Sequence, residues 1–132
     1  MRTALDSSVI LDVVVGLGPF ADSSERAIRE AARQGSLLIG ECVLAEISPA
    51  FAGLNIEEFL RDWNIVFEPG NRKSALLAGM MFTTYLERRA MPRRVVPDFL
   101  VGAHAQTHAD QLLARDRGYY RDYFKDLVLV EP

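Results

Sequence analysis

Four acidic side chains stand where chemistry at the edge of a sheet would need them. Asp6 follows the short apolar run Ala4-Leu5. Glu46 lies among Val43, Leu44 and Ile47, Asp98 precedes Phe99-Leu100, and Asp116 stands three residues after Leu113. In open α/β sheets, ligands bind outside the carboxyl ends of the strands. Acids that follow strands, or lie on the helices entering that edge, converge there. Carboxylates gathered in one place repel and push one another's pKa values upward unless a cation intervenes. Hard divalent ions such as Mg²⁺ and Mn²⁺ take oxygen ligands and resolve the repulsion. A pair of such ions balances the charge of the acids and lets a phosphodiester approach. That is the arrangement for metal-assisted in-line displacement at phosphorus.

Each acid taken alone also has an ordinary reading. Asp6 caps the helix that follows it, and Asp98 complements a helix N-terminus. Glu46 is a partly exposed helical residue, and Asp116, within Arg115-Asp116-Arg117-Gly118, is a turn residue. Residue type and spacing leave both readings standing.

The elements that must position these acids follow from the apolar pattern. Short apolar strands alternate with amphipathic helices, the signature of an α/β fold with a mostly parallel central sheet flanked by helices. Strands are expected at 3–5, 36–39, 65–67, 111–114 and 127–130. Helices are expected at 7–15, 22–35, 41–47, 55–63, 71 to about 90 and 97 to about 109. The helix at 7–15 rests on the spacing of Val9, Ile10, Val13 and Val14 against a β-branched composition that favours a strand. Asp22 with Glu25, and Asn55 with Glu58, have capping-box spacing, and Asn71 is placed to cap the long helix. Residues 117–124 read as a loop or a helical turn.

Length and composition bound the rest. The 132 residues make one domain, 1–132, with 49 % hydrophobic and 25 % charged residues, as in ordinary globular proteins. The longest uncharged stretch, residues 74–86, has 13 residues where a membrane span needs about 20. The N-terminal apolar run is broken by Asp6 and Asp12 and does not read as a signal peptide. The single cysteine, Cys42, excludes an internal disulfide and fits a reducing compartment. A cytoplasmic protein without a membrane association is expected.

Net charge is −3, yet the first 70 residues hold 11 of the 18 acidic groups and the remainder hold 10 of the 15 basic ones. The basic groups therefore gather on the side of the chain that carries Asp98 and Asp116. Arg88, Arg89, Arg93 and Arg94 form one run. Arg115, Arg117 and Arg121 form another, interleaved with Tyr119, Tyr120, Tyr123 and Phe124. Arginine with aromatic groups suits single-stranded RNA, through phosphate contacts and base stacking. The competing reading is a solvated charged face over core aromatics. Asp12 reads as a solvated helix acid. His104 and His108, four apart, lack the intervening Glu and the nearby Cys of a zinc site and read as packing residues.

Taken in order, the acidic blocks resemble the PIN-domain family, and more closely the VapC-type toxin ribonucleases of toxin–antitoxin pairs. Ala4-Leu5-Asp6-Ser7-Ser8-Val9-Ile10-Leu11-Asp12 resembles the family's opening. Glu41-Cys42-Val43-Leu44-Ala45-Glu46-Ile47 resembles its helix with an inward Glu. Pro97-Asp98-Phe99-Leu100-Val101-Gly102-Ala103-His104-Ala105 and Leu112-Leu113-Ala114-Arg115-Asp116-Arg117-Gly118-Tyr119-Tyr120 resemble the third and fourth blocks. Ser8 stands where many members have Asn and Ala114 where many have Thr; neither change removes a carboxylate.

The resemblance implies a PIN-like fold and a Mg²⁺- or Mn²⁺-dependent endoribonuclease whose site is Asp6, Glu46, Asp98 and Asp116. Asp6 and Asp98 are the firmest metal ligands, Asp116 a ligand of a second ion, and Glu46 either a ligand or a group that orients water. Ser7 is a hydrogen-bond donor behind them, or an ordinary cap hydroxyl. RNA (tRNA or rRNA) is the implied substrate, with Arg93, Arg94, Arg115 and Arg117 as candidate RNA contacts. A small antitoxin protein and a second copy of the chain are the implied partners. The apolar stripe Leu76, Leu77, Met80, Met81 and Phe82, and the segment carrying Leu54, Phe59, Leu60, Trp63 and Phe67, are core or antitoxin surface.

Other classes remain for comparison. A PIN nuclease of RNA processing, or a catalytically silent RNA- or protein-binding module on the same fold, would share the architecture. A haloacid-type phosphatase needs an Asp two residues after Asp6, where Ser8 stands, and a receiver domain's lysine is poorly supported with only Lys73 and Lys125.

Overall fold

The computed structural model describes residues 1–88, 96–115 and 118–132. Five strands form one sheet: β1 (Arg2–Leu5), β2 (Ser36–Ile39), β3 (Ile65–Phe67), β4 (Gln111–Leu113) and β5 (Leu129–Val130). The order across the sheet is β3-β2-β1-β4-β5, and every pair is parallel. Parallel neighbours need crossover connections, and helices supply them. These are α1 (Ser7–Val15), α2 (Ala21–Gln34), α3 (Glu41–Ile47), α4 (Ile56–Asp62), α5 (Arg72–Arg88), α6 (Val96–His108) and α7 (Tyr119–Tyr123), with a 3-10 turn at Ser48–Phe51. Strands in such a sheet are covered on both faces and read as continuous apolar runs. Leu37, Leu38 and Ile39 of β2, and Leu112 and Leu113 of β4, are accordingly buried.

β1 is the middle strand. Ala4 lies beside Leu38 on one side and Leu112 on the other. From β1 the chain winds one way to β2 and β3, then returns to the opposite side for β4 and β5. The reversal lies between β1 and β4. Beyond the carboxyl ends of two strands that part in this way the crossovers leave a crevice. The backbone N–H of Asp6 still bonds the Leu113 carbonyl at 3.0 Å, so Asp6 leaves the sheet at that crevice.

α6 is anchored by its own first turn. Phe99 is fully buried, with the rings of Phe82, Tyr85, Tyr119, Tyr123 and Phe124 around it at centroid distances of 5.4–6.5 Å. Gly102, one turn on, lets the same helix approach Phe124: a Cβ there would lie 2.5 Å from Phe124 Cε2. Gly102→Ala is expected to cost about 1–3 kcal/mol through overpacking. Chemical denaturation would check this; an unchanged midpoint would show that the ring moves freely.

Several expectations change in detail. The Asp22–Glu25 capping box does not form. α2 starts one residue earlier, with Phe20 at the cap position and no side-chain cap, and Asp22 becomes a first-turn acid favoured by the helix dipole. Asn55 and Asn71 do cap: their Oδ1 atoms accept from Glu58 N at 3.1 Å and Ser74 N at 2.9 Å. The last strand begins at Leu129, because Leu127 N is held back by the Phe124 carbonyl at 3.1 Å. The stripe on α5 divides, with Leu76 and Met80 exposed while Leu77, Met81 and Phe82 pack on the core.

Candidate active site

Asp6 ends β1 and caps α1, with extended backbone at φ −78°, ψ 156°. Its Oδ2 accepts from Ser8 N at 3.1 Å and from the Ser8 hydroxyl at 2.6 Å. Its Oδ1 accepts from the Tyr120 hydroxyl at 2.8 Å. The ordinary reading of Asp6 as a cap is therefore correct as geometry, yet it accounts for one of its two oxygens only. Asp6 is buried, and so is Tyr120. Burial, then the Asp6 charge, drive the Tyr120 phenol well above its ordinary range, so it remains a donor at neutral pH.

Glu46 reaches the same place from α3. The Ser7 hydroxyl, in the first turn of α1, donates to Glu46 Oε2 at 3.2 Å. Loss of solvent around the carboxyl raises the Glu46 pKa. The Ser7 hydrogen bond works against this, and the charges of Asp6 and Asp98 add to the rise. Hydrogen bonds link the same acids: the first turn of α1 reaches Glu46 through Ser7 and Asp6 through Ser8, and α7 reaches Asp6 and the Asp98 carbonyl. Asp98 occupies the first turn of α6 and is half-buried, beside the anchored Phe99. Its main-chain carbonyl accepts from the Tyr119 hydroxyl.

A Glu with a raised folded-state pKa binds protons more readily folded than unfolded. Its effect on stability therefore turns unfavourable as pH rises from the ordinary value of 4.5 through the raised one. Glu46→Gln is expected to melt above the wild type at pH 7 in chelator, with a flatter fall in stability above pH 4.5. Melting curves across pH in chelator would check this, and a variant that melts lower at pH 7 would refute the shared field.

Asp116 lies outside the described residues, as do Arg93, Arg94 and Arg117. Arg115 is described, and its guanidinium is turned inward. It grips Asp12 in a two-pronged ion pair, Nε–Oδ2 2.8 Å and Nη2–Oδ1 2.9 Å, and lies over the Phe20 ring at 4.5 Å. Asp12 also accepts from the Ser24 hydroxyl at 2.6 Å. The solvated reading of Asp12 is thereby overturned. The α1 spacing that puts Asp12 four residues after Ser8 faces it to the β4 exit, where a fixed cation waits. The Arg115 N–H in turn donates to Ser8 Oγ at 3.2 Å, behind Asp6. The aromatic residues expected to stack on bases are largely core: Tyr120, Tyr123 and Phe124 are all buried.

His104 and His108 stack at 4.8 Å. His104 Nε2 lies 2.6 Å from the Glu68 carbonyl, a packing role. Among the described residues, no group of three or more His, Cys, Asp or Glu side chains is close enough to hold a metal ion. The acids nearest one another, Asp6, Glu46 and Asp98, offer carboxylate oxygens. Such a set fits a hard divalent ion, and Mg²⁺ commonly takes one or two carboxylates and fills the remaining positions with water and substrate oxygens. Asp6 and Asp98 would hold such an ion, with Glu46 beside them.

Sequence reasoning did not find the roles of Tyr119, Tyr120 and Asp12. The only signals were the paired tyrosines after Gly118 and the four-residue step from Ser8 to Asp12.

No family model and no curated protein matches the chain. Solved structures do. A chain of the VapBC2 complex of Rickettsia felis bound to a fragment of its promoter DNA superposes with TM-score 0.73 at 16 % identity, covering 100 % of this chain and 99 % of that one. A chain of VapBC-1 from nontypeable Haemophilus influenzae gives 0.70 at 19 %, covering 99 % and 98 %. A chain of FitAB bound to the IR36 DNA fragment gives 0.64 at 18 %, covering 98 % and 94 %. At these identities the likeness concerns architecture, and it spans the whole chain. With its all-parallel five-stranded sheet reversing between β1 and β4, the chain has a PIN-like fold, shared with chains of these VapBC and FitAB complexes.

Proposed function

We propose that this protein is the toxin of a toxin–antitoxin pair, a Mg²⁺- or Mn²⁺-dependent endoribonuclease that hydrolyses RNA phosphodiesters. One observation supports the reading above the others: hydrogen bonds from neighbouring turns reach all three acidic residues near the sheet's topological reversal, Ser7 to Glu46, Tyr120 to Asp6 and Tyr119 to the Asp98 carbonyl. The fold shared with chains of VapBC and FitAB complexes supports it.

A bound divalent ion would neutralise the scissile phosphate and lower the pKa of a coordinated water. The chain's own residues do the rest. Asp6 presents a carboxylate held by donors on both oxygens. Asp98 adds a second from a helix start fixed by Phe99. Glu46, steadied by Ser7, would either ligate the ion or orient the attacking water. Asp116 belongs to the proposed set by its place in the fourth block.

Arg115 is spent on Asp12, so substrate phosphates fall to the other arginines, with Arg93, Arg94 and Arg117 proposed for that role. Leu54, Leu76 and Met80 are exposed apolar side chains available to an antitoxin or a second copy of the chain. No described helix is long and apolar enough to cross a membrane.

The test is cleavage of a mixed tRNA and rRNA pool with Mg²⁺, with Mn²⁺ and with chelator. Discrete fragments that vanish in chelator are expected. In parallel, millimolar metal is expected to raise the melting temperature, since an ion that binds only the folded state stabilises it. The absence of both the fragments and the thermal shift would overturn the reading.

A further inference from the structure

The short helix α7 sends two neighbouring hydroxyls to two acids that are far apart in the chain. Tyr120 donates to Asp6 Oδ1 at 2.8 Å, and Tyr119 donates to the main-chain carbonyl of Asp98. The two rings lie 4.1 Å apart between centroids, and Tyr119 also meets Phe99 at 5.9 Å. Gly118, in a left-handed conformation at φ 105°, turns the chain into this helix.

A carboxylate that ligates a cation must hold its lone pairs still. Bonds to Oδ2 alone would leave Asp6 free to rock about its Cβ–Cγ bond. Ser8 fixes Oδ2 by two hydrogen bonds, and Tyr120 fixes Oδ1 by one from the opposite side. With donors on both oxygens the plane of the carboxylate is set, and the remaining lone pairs are presented in one direction. Groups that orient a metal ligand in this way are worth roughly 10–100-fold in metal affinity.

Resting on the nuclease reading, we propose that Tyr120 is a positioning residue of the metal site: its hydroxyl sets the plane in which Asp6 meets a divalent cation, while Tyr119 fastens the helix start that carries Asp98. α7 is then a clasp between the first acid and the third. A phenylalanine at 120 would fill the same space and release the carboxylate.

The test compares wild type, Tyr120→Phe and Tyr123→Phe as full chains. Tyr123 is a buried tyrosine of the same helix, packed against Phe99 and Tyr85. Mn²⁺ affinity is measured by calorimetry well below each melting temperature, and RNA cleavage is followed across Mn²⁺ concentration. Tyr120→Phe is expected to weaken Mn²⁺ binding about 10-fold or more, to lower kcat at limiting Mn²⁺ with little change in KM for RNA, and to recover at saturating Mn²⁺. Tyr123→Phe is expected to keep wild-type affinity. Unchanged affinity in Tyr120→Phe, or an equal loss in Tyr123→Phe, would overturn the proposal while the nuclease reading stands. A wild type that neither binds Mn²⁺ nor cleaves would overturn the nuclease reading itself, and the clasp with it.

Discussion

Asp98→Asn is expected to abolish metal-dependent RNA cleavage and leave the fold intact. The amide keeps the size of the carboxyl and loses its charge. Phe99, next in sequence, still anchors the start of α6 among five aromatic rings. Losing an acid from the first turn costs about 0.5 kcal/mol of helix-dipole interaction. Relief of repulsion on Glu46 works in the opposite direction. Activity has no such compensation, because a neutral amide is a poor ligand for a hard cation. The fall should exceed the ~10–100-fold typical of removing a group behind a ligand. Cleavage of the responsive RNA, circular dichroism and Mn²⁺ calorimetry on one preparation would check it. Wild-type cleavage by a folded Asp98→Asn would remove Asp98 from the site.

Asp12→Ala is expected to cost the protein much of its stability through one broken ion pair. Asp12 is 12 % exposed at its side chain and holds Arg115, 31 % exposed, through two hydrogen-bonded contacts. Breaking a fully buried pair from one side costs about 3–5 kcal/mol, because a charge is left without its partner. Arg115 retains some water and the Phe20 ring, so a loss of about 2 kcal/mol is expected. For a chain of this size that is roughly 8 °C in Tm. The Ser24 hydroxyl loses its acceptor as well. Cleavage should fall less than in Asp98→Asn, since Asp12 reaches Asp6 only through Arg115 and Ser8. Thermal melts of both single variants and the Asp12→Ala, Arg115→Ala double variant would measure the coupling. A coupling energy below about 0.5 kcal/mol would place the pair with ordinary surface ion pairs.

The architecture was legible wherever local pattern and burial agree. The helix over Ser7–Val15 was readable against its β-branched composition because Val9 and Ile10, at helical spacing, are the residues it buries. The strands at Ser36–Ile39 and Ile65–Phe67 stand between clear stops. Boundaries failed where the deciding contact is distant or made by backbone: Asp22 was displaced as a cap by the Ser24 N–H bonding the Phe20 carbonyl. Within the candidate site, the acids were singled out by apolar neighbours and by their places after strands or on the helices entering that edge. Their supports were not. Tyr120 meets Asp6 across 114 positions and Arg115 meets Asp12 across 103, and no periodicity connects such partners. Arg115, a candidate RNA contact by sequence, shows the same limit, while the neighbouring Tyr120 and Tyr123 follow the competing reading of core aromatics. Residue type suggests a surface role for the arginine, and only the tertiary fold reveals that it faces inward.

The central position of β1 has a consequence for when the site comes into being. A chain made from its N-terminus produces Asp6 almost at once, yet one side of β1 stays open until Gln111–Leu113 exists, and Asp6 Oδ1 has no donor until Tyr120 does. At about 5–20 residues per second, synthesis takes on the order of ten seconds to cover that interval. Closing so long a loop is also slow compared with pairing neighbours. A chain interrupted before residue 111 would carry Asp6, Glu46 and Asp98 and lack both the strand and the helix that draw them together. On the ribosome, Asp6, Glu46 and Asp98 emerge before the strand and the helix that order Asp6.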